Sequence, residues 1–331
     1  MTDHPIPAGS DLEIDTLAAL QDKEPPKEPR SQWKDVWDQF KHHKGALFGG
    51  GFLIFITLAV LLGPYIWTLD PQKLDIRNKD MRPIYTALWD STAKVGWGNP
   101  LGTDNLGRDM LANLIAGGRA SMAVGWAAMV LALVIGTLVG VVSGYFKKAD
   151  FWLMRFTDLV LSLPILPLLL VAVTLFREPL RANFGPEGGM FILIVSVIGL
   201  TSWMQTARIV RGDILALKER EFILAARSIG TTSGAIIRRH LLPNVVSPIM
   251  VSATLGLATA IITESALSFL GVGFPSDFPT WGKLLADSVQ RMEQYPERVI
   301  LPGILISLTV LGVNYLGDGL RDALDPRIRG R

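Results

Sequence analysis

Residues 218–243, KEREFILAARSIGTTSGAIIRRHLLP, form a long polar segment between two apolar spans that still carries a folding pattern. Phe222, Ala225, Ala226 and Ile229 recur at the i, i+3, i+4, i+7 spacing of one helix face, while Lys218, Glu219, Arg220 and Arg227 fall elsewhere on the turn. Gly230 supplies a stop and Ser233 a new N-cap. Ile236, Ile237 and Leu241 then pattern a second short helix running to Pro243, whose missing N–H discourages continuation. The predicted unit is helix, turn, helix. At a membrane surface it would serve as a docking knob for a soluble partner; a well-folded interhelical loop without a partner satisfies the same periodicity.

Outward from this segment the chain is apolar. Of its 331 residues 49% are hydrophobic, and several windows hold about 20 apolar residues with few or no charges, the length a helix needs to cross the hydrocarbon core. The expected fold is all-α and polytopic, with six transmembrane helices at about 47–67, 122–146, 156–176, 190–210, 245–271 and 299–319. Residues 1–30 are too poor in large apolar side chains to bury a core and are expected to form a disordered tail. Over 31–46, Trp33, Val36, Trp37 and Phe40 share one face beside Lys34, Lys41, His42, His43 and Lys44, the pattern of an amphipathic helix lying in membrane lipid at the interface. The adjacent histidines read as interfacial polar groups, since no third metal ligand accompanies them.

The spans differ in character. The second carries Ala128, Ala132, Gly136, Gly140 and Gly144 at intervals of four, small residues that let backbones approach in lipid. Four residues overshoot a helical turn by about 40°, so the stripe is expected to wind past several neighbours. The third holds Pro164 and Pro167 and is expected to kink; Asp158 near its end is expected to pair with Arg155. The fourth carries Thr201, Ser202, Gln205 and Thr206. Glu264 in the fifth is an acid within an apolar helix, for which a proton relay, a solute contact and a helix-holding hydrogen bond are the open readings. The stretch 68–120 is too long and polar for a simple connection, and its Gly102, Asp104, Asn105 and Gly107 read as a folded turn because EF-hand ligand spacing is missing. Within 272–298, which holds three prolines, Pro275 and Pro279 precede Trp281 and Gly282, a turn into a short interfacial helix.

Six spans put both termini on one side. Segments 30–46, 147–155, 211–244 and 320–331 hold 17 Lys and Arg in 72 residues, against 12 in 93 for the opposite side, so the bias predicts cytoplasmic termini and a cytoplasmic 218–243 segment. A net charge of +2 without a basic, aromatic-interleaved run argues against nucleic acid. Zero cysteines exclude disulfides and thiolate metal sites. The one Gly-Lys pair, Gly282-Lys283, has Asp277 where a phosphate loop needs glycine, so ATP binding by this chain alone is not expected. His4, His42, His43 and His240 have no metal-ligand spacing, and no Gly-x-Ser-x-Gly elbow occurs. The chain does not read as an enzyme.

Ala225-Ala226, Gly230 and, nine residues on, His240-Leu241-Leu242-Pro243 resemble the EAA loop of inner-membrane permease subunits of ATP-binding-cassette (ABC) importers. EFILAARSIG with IIRRHLLPN, LGTDNLGRDM and ESALSFLG resemble the dipeptide, oligopeptide and nickel branch, in its C-type permease. The motif's initial Glu is Leu224 here, and Glu221 lies three residues earlier. The resemblance implies a permease subunit forming half of a translocation pathway. Its implied partners are a second, homologous permease, two ATPase subunits that bind ATP and Mg, and a solute-binding protein. It assigns ATPase coupling to Glu221, Phe222, Ala225, Ala226, Gly230 and Pro243 and places Trp281 in a segment that helps close the outward side; Gln205 and Glu264, polar within the spans, are further pathway or gate candidates. It places Gly102, Asp104, Gly107, Arg108 and Asp109 in a periplasmic loop near the docked solute-binding protein. Peptides, nickel chelates, opines and some sugars are all carried in this branch. Readings from other classes are a proton-coupled secondary transporter titrating Glu264 or Asp158, and a membrane scaffold without a pathway.

Overall fold

The computed structural model describes residues 32–88, 90–275 and 278–324; the expected tail over 1–30 lies outside the described residues, as do 325–331. Helix α1 (Gln32–His42) stacks Trp37 on Phe40 and sets Lys41 over the Trp37 ring. The chain breaks at His43, whose Nδ1 accepts the Ala46 amide at 2.9 Å and so caps α2 (Lys44–Ile66). The expected interfacial helix over 31–46 therefore ends at 42.

Helix α3 (Met110–Tyr145) begins well before the expected boundary at 121: Asp109 Oδ1 accepts the Ala112 amide at 2.7 Å and starts the helix there. Its 36 residues make a rod of about 54 Å, longer than the ~30 Å hydrocarbon core. The polar connection is accordingly 67–109, shorter than the predicted 68–120. The third span is broken and not merely kinked. Helices α4 (Lys147–Leu161) and α5 (Ile165–Phe184) meet at 89° across a three-residue gap. Pro164, lacking an N–H, precedes the first residue of α5 instead of sitting inside one helix. Asp158 pairs with Arg208 at 2.6 Å, not with Arg155, which lies over Phe151.

Helix α6 (Pro186–Leu217) runs parallel to α3. A Cβ at Gly136, Gly140 or Gly144 would lie 2.6–3.1 Å from Trp203, Ala207 and Arg211 carbonyl oxygens in turn, so all three glycines admit one partner. Ala132 packs with Trp203, Met204 and Ala207 of the same helix α6, so the stripe does not divide among several neighbours as expected; other glycines of α3 meet other elements, Gly125 Ile261 and Gly118 Val60 and Trp281. Beyond α6 come α7 (Glu221–Ser228), α8 (Ser233–Ile236), a π-helical turn Ile237–Leu241 and the turn Leu242–Asn244. The chain continues through α9 (Val246–Phe269), the short α10 (Trp281–Val289) and α11 (Glu297–Leu324).

The helices α2, α3, α6, α9 and α11 are each long and apolar enough to span a membrane, and the bent α4–α5 pair makes a sixth if it is counted as one broken span. Among the described residues no strand occurs beyond an isolated Thr103–Asp109 bridge. The core lies where α3, α5, α6 and α9 meet, around Val124, Leu169, Ile194, Ile198 and Ala260. Because α3 joins the 67–109 connection to the neighbourhood of 218–244, those two segments occupy opposite ends of the molecule.

Candidate functional site

At the 218–244 end, α7 has two faces. Ile223 and Ala226, spaced i, i+3, are buried with Val141, Val210, Ile214, Ile236 and Leu241. Phe222, Leu224, Ala225 and Ile229 face outward, Ile229 being 83% exposed. The face that periodicity drew through Phe222, Ala225, Ala226 and Ile229 is thus divided, with Ala226 turned inward. Ile223, which sequence reading did not single out, is the anchor; its i, i+3 relation to Ala226 was the available signal.

The helix ends in a two-bond cap. Gly230 at φ +81° donates its N–H to Arg227 O at 2.9 Å, and Thr231 donates to Ala226 O at 3.1 Å, the pattern that closes a helix with a left-handed residue. Pro243 lies in the turn Leu242–Asn244 leading to α9. Glu221 opens α7 and is exposed, where a carboxylate complements the positive end of the helix dipole.

Two contacts tie this unit to α3, and a third ties α6 to α4 beside it. Lys218, 8% exposed, donates Nζ to Gly144 O at 3.1 Å at the C-terminal end of α3, where its charge suits the helix dipole. Arg211 of α6 makes a forked pair with Asp150 of α4, at 2.5 and 2.7 Å. Arg227 of α7 lies 5.4 Å from the Tyr145 ring. Lys218 had been placed with the polar face because nothing local to it shows the carbonyl it reaches, 74 residues away.

Between the ends, a cavity of about 530 Å³ opens at the α4–α5 break and is walled by α6 and α9. Gln205 lines it with Thr201, Ser202, Ser252, Thr259 and Thr263, and no lining residue carries a formal charge. Glu264 is elsewhere. It is fully buried, its Oε1 accepts the Ser268 hydroxyl at 2.7 Å, and the hydroxyls of Ser121, Ser265 and Thr280 stand around it. Trp281 is buried as well, donating Nε1 to Leu114 O at 2.9 Å and its amide to Ser121 Oγ at 3.3 Å. Glu264 and Trp281 therefore join α9, α3 and α10 away from the Gln205 cavity.

At the 67–109 end, Gly102 and Gly107 both take φ +79°. Asp104 Oδ1 accepts the amides of Leu106 and Arg108, each at 2.8 Å, which folds the turn. Asp109 caps α3 and also accepts Trp67 Nε1 at 2.9 Å and Asn99 Nδ2 at 2.8 Å, fixing the connection to the ends of α2 and α3. Arg108 lines a separate cavity at this end.

A family model described as the binding-protein-dependent transport system inner membrane component matches residues 129–330, and one described as the N-terminal TM domain of oligopeptide transport permease C matches 31–83. The oligopeptide transport system permease protein OppC of Bacillus subtilis is 34% identical over 304 residues, 92% of each chain. The dipeptide transport system permease protein DppC of Alkalihalophilus pseudofirmus is 36% identical over 318 residues, 95% of this chain and 97% of that one. Among solved structures, the MetNI methionine ABC transporter in inward-facing form aligns with a TM-score of 0.53 at 19% identity, over 65% of this chain and 98% of that chain, a likeness of fold. The chain belongs to the family of binding-protein-dependent transport system inner membrane components. It is a multi-pass permease subunit of an ABC importer, within a family of transport proteins whose ATPase is a separate subunit.

Proposed function

We propose that the chain forms half of the translocation pathway for peptides or related small solutes in a bacterial inner membrane, paired with a homologous, distinct permease. Two ATPase subunits bind ATP and Mg, and a solute-binding protein delivers the solute at the 67–109 end. Both termini and residues 218–243 are cytoplasmic in this reading. The peptide class follows the relatives, an oligopeptide and a dipeptide permease, and the uncharged cavity beside Gln205 suits it, because hydroxyls and an amide can bond peptide groups whatever the charge of their side chains.

The observation that carries the reading is the outward apolar face of α7. Phe222, Ala225 and Ile229 project from a short helix whose opposite face is anchored by Ile223, and a partner groove would bury them. Glu221, Phe222, Ala225, Ala226, Gly230 and Pro243 form and present this knob. Closure of the ATPases on ATP binding moves it, and the helices respond as two-state elements that open alternately to either side.

The test is co-expression with the neighbouring genes of the operon, affinity purification through this chain, and ATP-dependent peptide uptake in proteoliposomes. Ile229→Asp is expected to lower ATPase recovery at least tenfold while leaving membrane insertion at the wild-type level. Unchanged ATPase recovery in that variant would remove α7 from the docking role.

A further inference from the structure

The cavity at the 67–109 end has a volume of about 630 Å³, and a second of about 330 Å³ adjoins it, with Lys283 and Gly271 lining both. Six cations line the pair, Arg108, Arg177, Arg181, Lys283, Arg291 and Arg298, against the two acids Asp104 and Asp287. Both acids are already engaged. Asp104 Oδ1 accepts two backbone amides at 2.8 Å, and Asp287 lies 3.5 Å from Lys283 Nζ.

Arg298 makes the shortage of acceptors explicit. It is only 4% exposed, and its Nη1 reaches Asp80 at 3.0 Å, but the same Asp80 oxygen also faces Arg291 at 3.4 Å. Its Nε and Nη2 have no acceptor, and Arg108 and Arg177 each hold a buried Nε in the same condition. Tyr295 covers the Arg298 guanidinium with a ring face 4.0 Å away, which balances part of the charge and accepts none of these N–H groups. Glu297, the next residue, is a buried carboxylate whose Oε1 has no hydrogen-bond partner, but it does not line the cavity. A buried charged donor left unpaired is destabilising. These nitrogens are closed off from the cavity and mark a local excess of positive charge; for the cationic groups that line the cavities, a carboxylate, with two oxygens for a guanidinium fork, is the matching ligand.

We propose that the paired cavities are a binding site for a carboxylate, presented by the solute before it enters the pathway. The inference rests on the reading above for the side of the membrane and for a solute carrying a terminal carboxylate. The larger volume falls in the ~300–1,000 Å³ range of small-molecule sites, which favours a solute-sized ligand over a single inserted side chain.

The experiment uses the full chain in lipid nanodiscs with radiolabelled tri-alanine as probe, its C-terminal amide as competitor, and the variants Lys283→Gln, Arg108→Gln and Arg298→Gln. Tri-alanine is expected to saturate, the amide to compete at least tenfold more weakly, and Lys283→Gln and Arg108→Gln to weaken binding at least tenfold. Binding should also weaken as salt is raised. Arg298→Gln alone risks misfolding, so circular dichroism and gel filtration accompany each variant, and the two less buried positions carry the result. If tri-alanine does not bind but the solute-binding protein does, and its affinity falls tenfold in the same variants, the carboxylate site stands and its source is the docked protein. Equal competition by the amide, or variants that leave both ligands unaffected, overturns the site. Failure to recover ATPases with a chain that still binds tri-alanine would refute the importer assembly and leave the site intact.

Discussion

Gly230 sits at φ +81° with open space where a Cβ would project, so substitution there is resisted by backbone conformation and not by crowding. A residue with a Cβ in the left-handed region costs about 1–2 kcal/mol, less for Asn, whose side chain bonds locally. Gly230→Asn is therefore expected to keep at least half of wild-type uptake, and Gly230→Val to lose about tenfold with insertion unchanged. Equal uptake in the two would show that the positive φ does not limit coupling. Glu264 is a second test at this scale. Its burial among hydroxyls away from the Gln205 cavity fits a helix-holding role, one of the three readings its sequence position left open. Glu264→Gln keeps an oxygen for the Ser268 hydroxyl and is expected to hold ATP-driven uptake within twofold, whereas Glu264→Leu strands that hydroxyl at a cost of about 1–3 kcal/mol. Loss of uptake in a well-folded Glu264→Gln protein would restore the proton relay.

Among the helices, α3 and α6 approach through glycines. A Cβ at Gly140 would stand 2.7 Å from Ala207 O and 2.8 Å from Val210 Cβ, while one at Gly212 meets nothing within 4 Å. Gly140→Leu is expected to lower the thermal unfolding midpoint by several degrees, from an overpacking cost of about 1–3 kcal/mol, and Gly212→Leu to leave it nearly unchanged. Identical midpoints would mean that the pair separates without loss. This interface was legible as a row of small residues, because a four-residue spacing is written in the chain; that one helix takes all three glycines was not, because a partner's path is not. The same division runs through the other elements. Hydropathy located the spans to within a few residues wherever apolar sequence abutted polar, as at α9, but could not see that Asp109 starts α3 eleven residues early by capping it. Two prolines announced trouble in the third span without revealing an 89° break. Of the α7 unit, the turn at Gly230 was readable from residue type, while the inward Ile223 and the buried Lys218 depended on long-range contacts.

For the whole molecule, docking must be distinguished from transmission. In the proposed reading the knob docks through Phe222 and Ile229, and force on it would reach the spans through the contacts of residues 218–227 with α3 and α6. Lys218 is the most buried of the charged groups making them, and its Nζ ends on the Gly144 carbonyl at the terminus of α3. That helix runs the length of the protein to the opposite end, where Leu114 O accepts the Trp281 indole and Ser121 holds its amide, so α3 joins the knob to α10 as one rigid element. Lys218→Met keeps a long apolar stem and removes the donor and the charge. In it the outward face of α7 is unaltered, and the ATPases are expected to co-purify and hydrolyse ATP at near wild-type rates. Uptake per ATP hydrolysed is expected to fall at least fivefold, because movement of the knob is no longer passed to α3. Measuring hydrolysis and uptake on the same proteoliposomes checks this. A variant that loses ATPase recovery along with uptake would assign Lys218 to the fold of the knob, and one with an unchanged ratio would move transmission to the contact of Arg227 in α7 with Tyr145 at the end of α3.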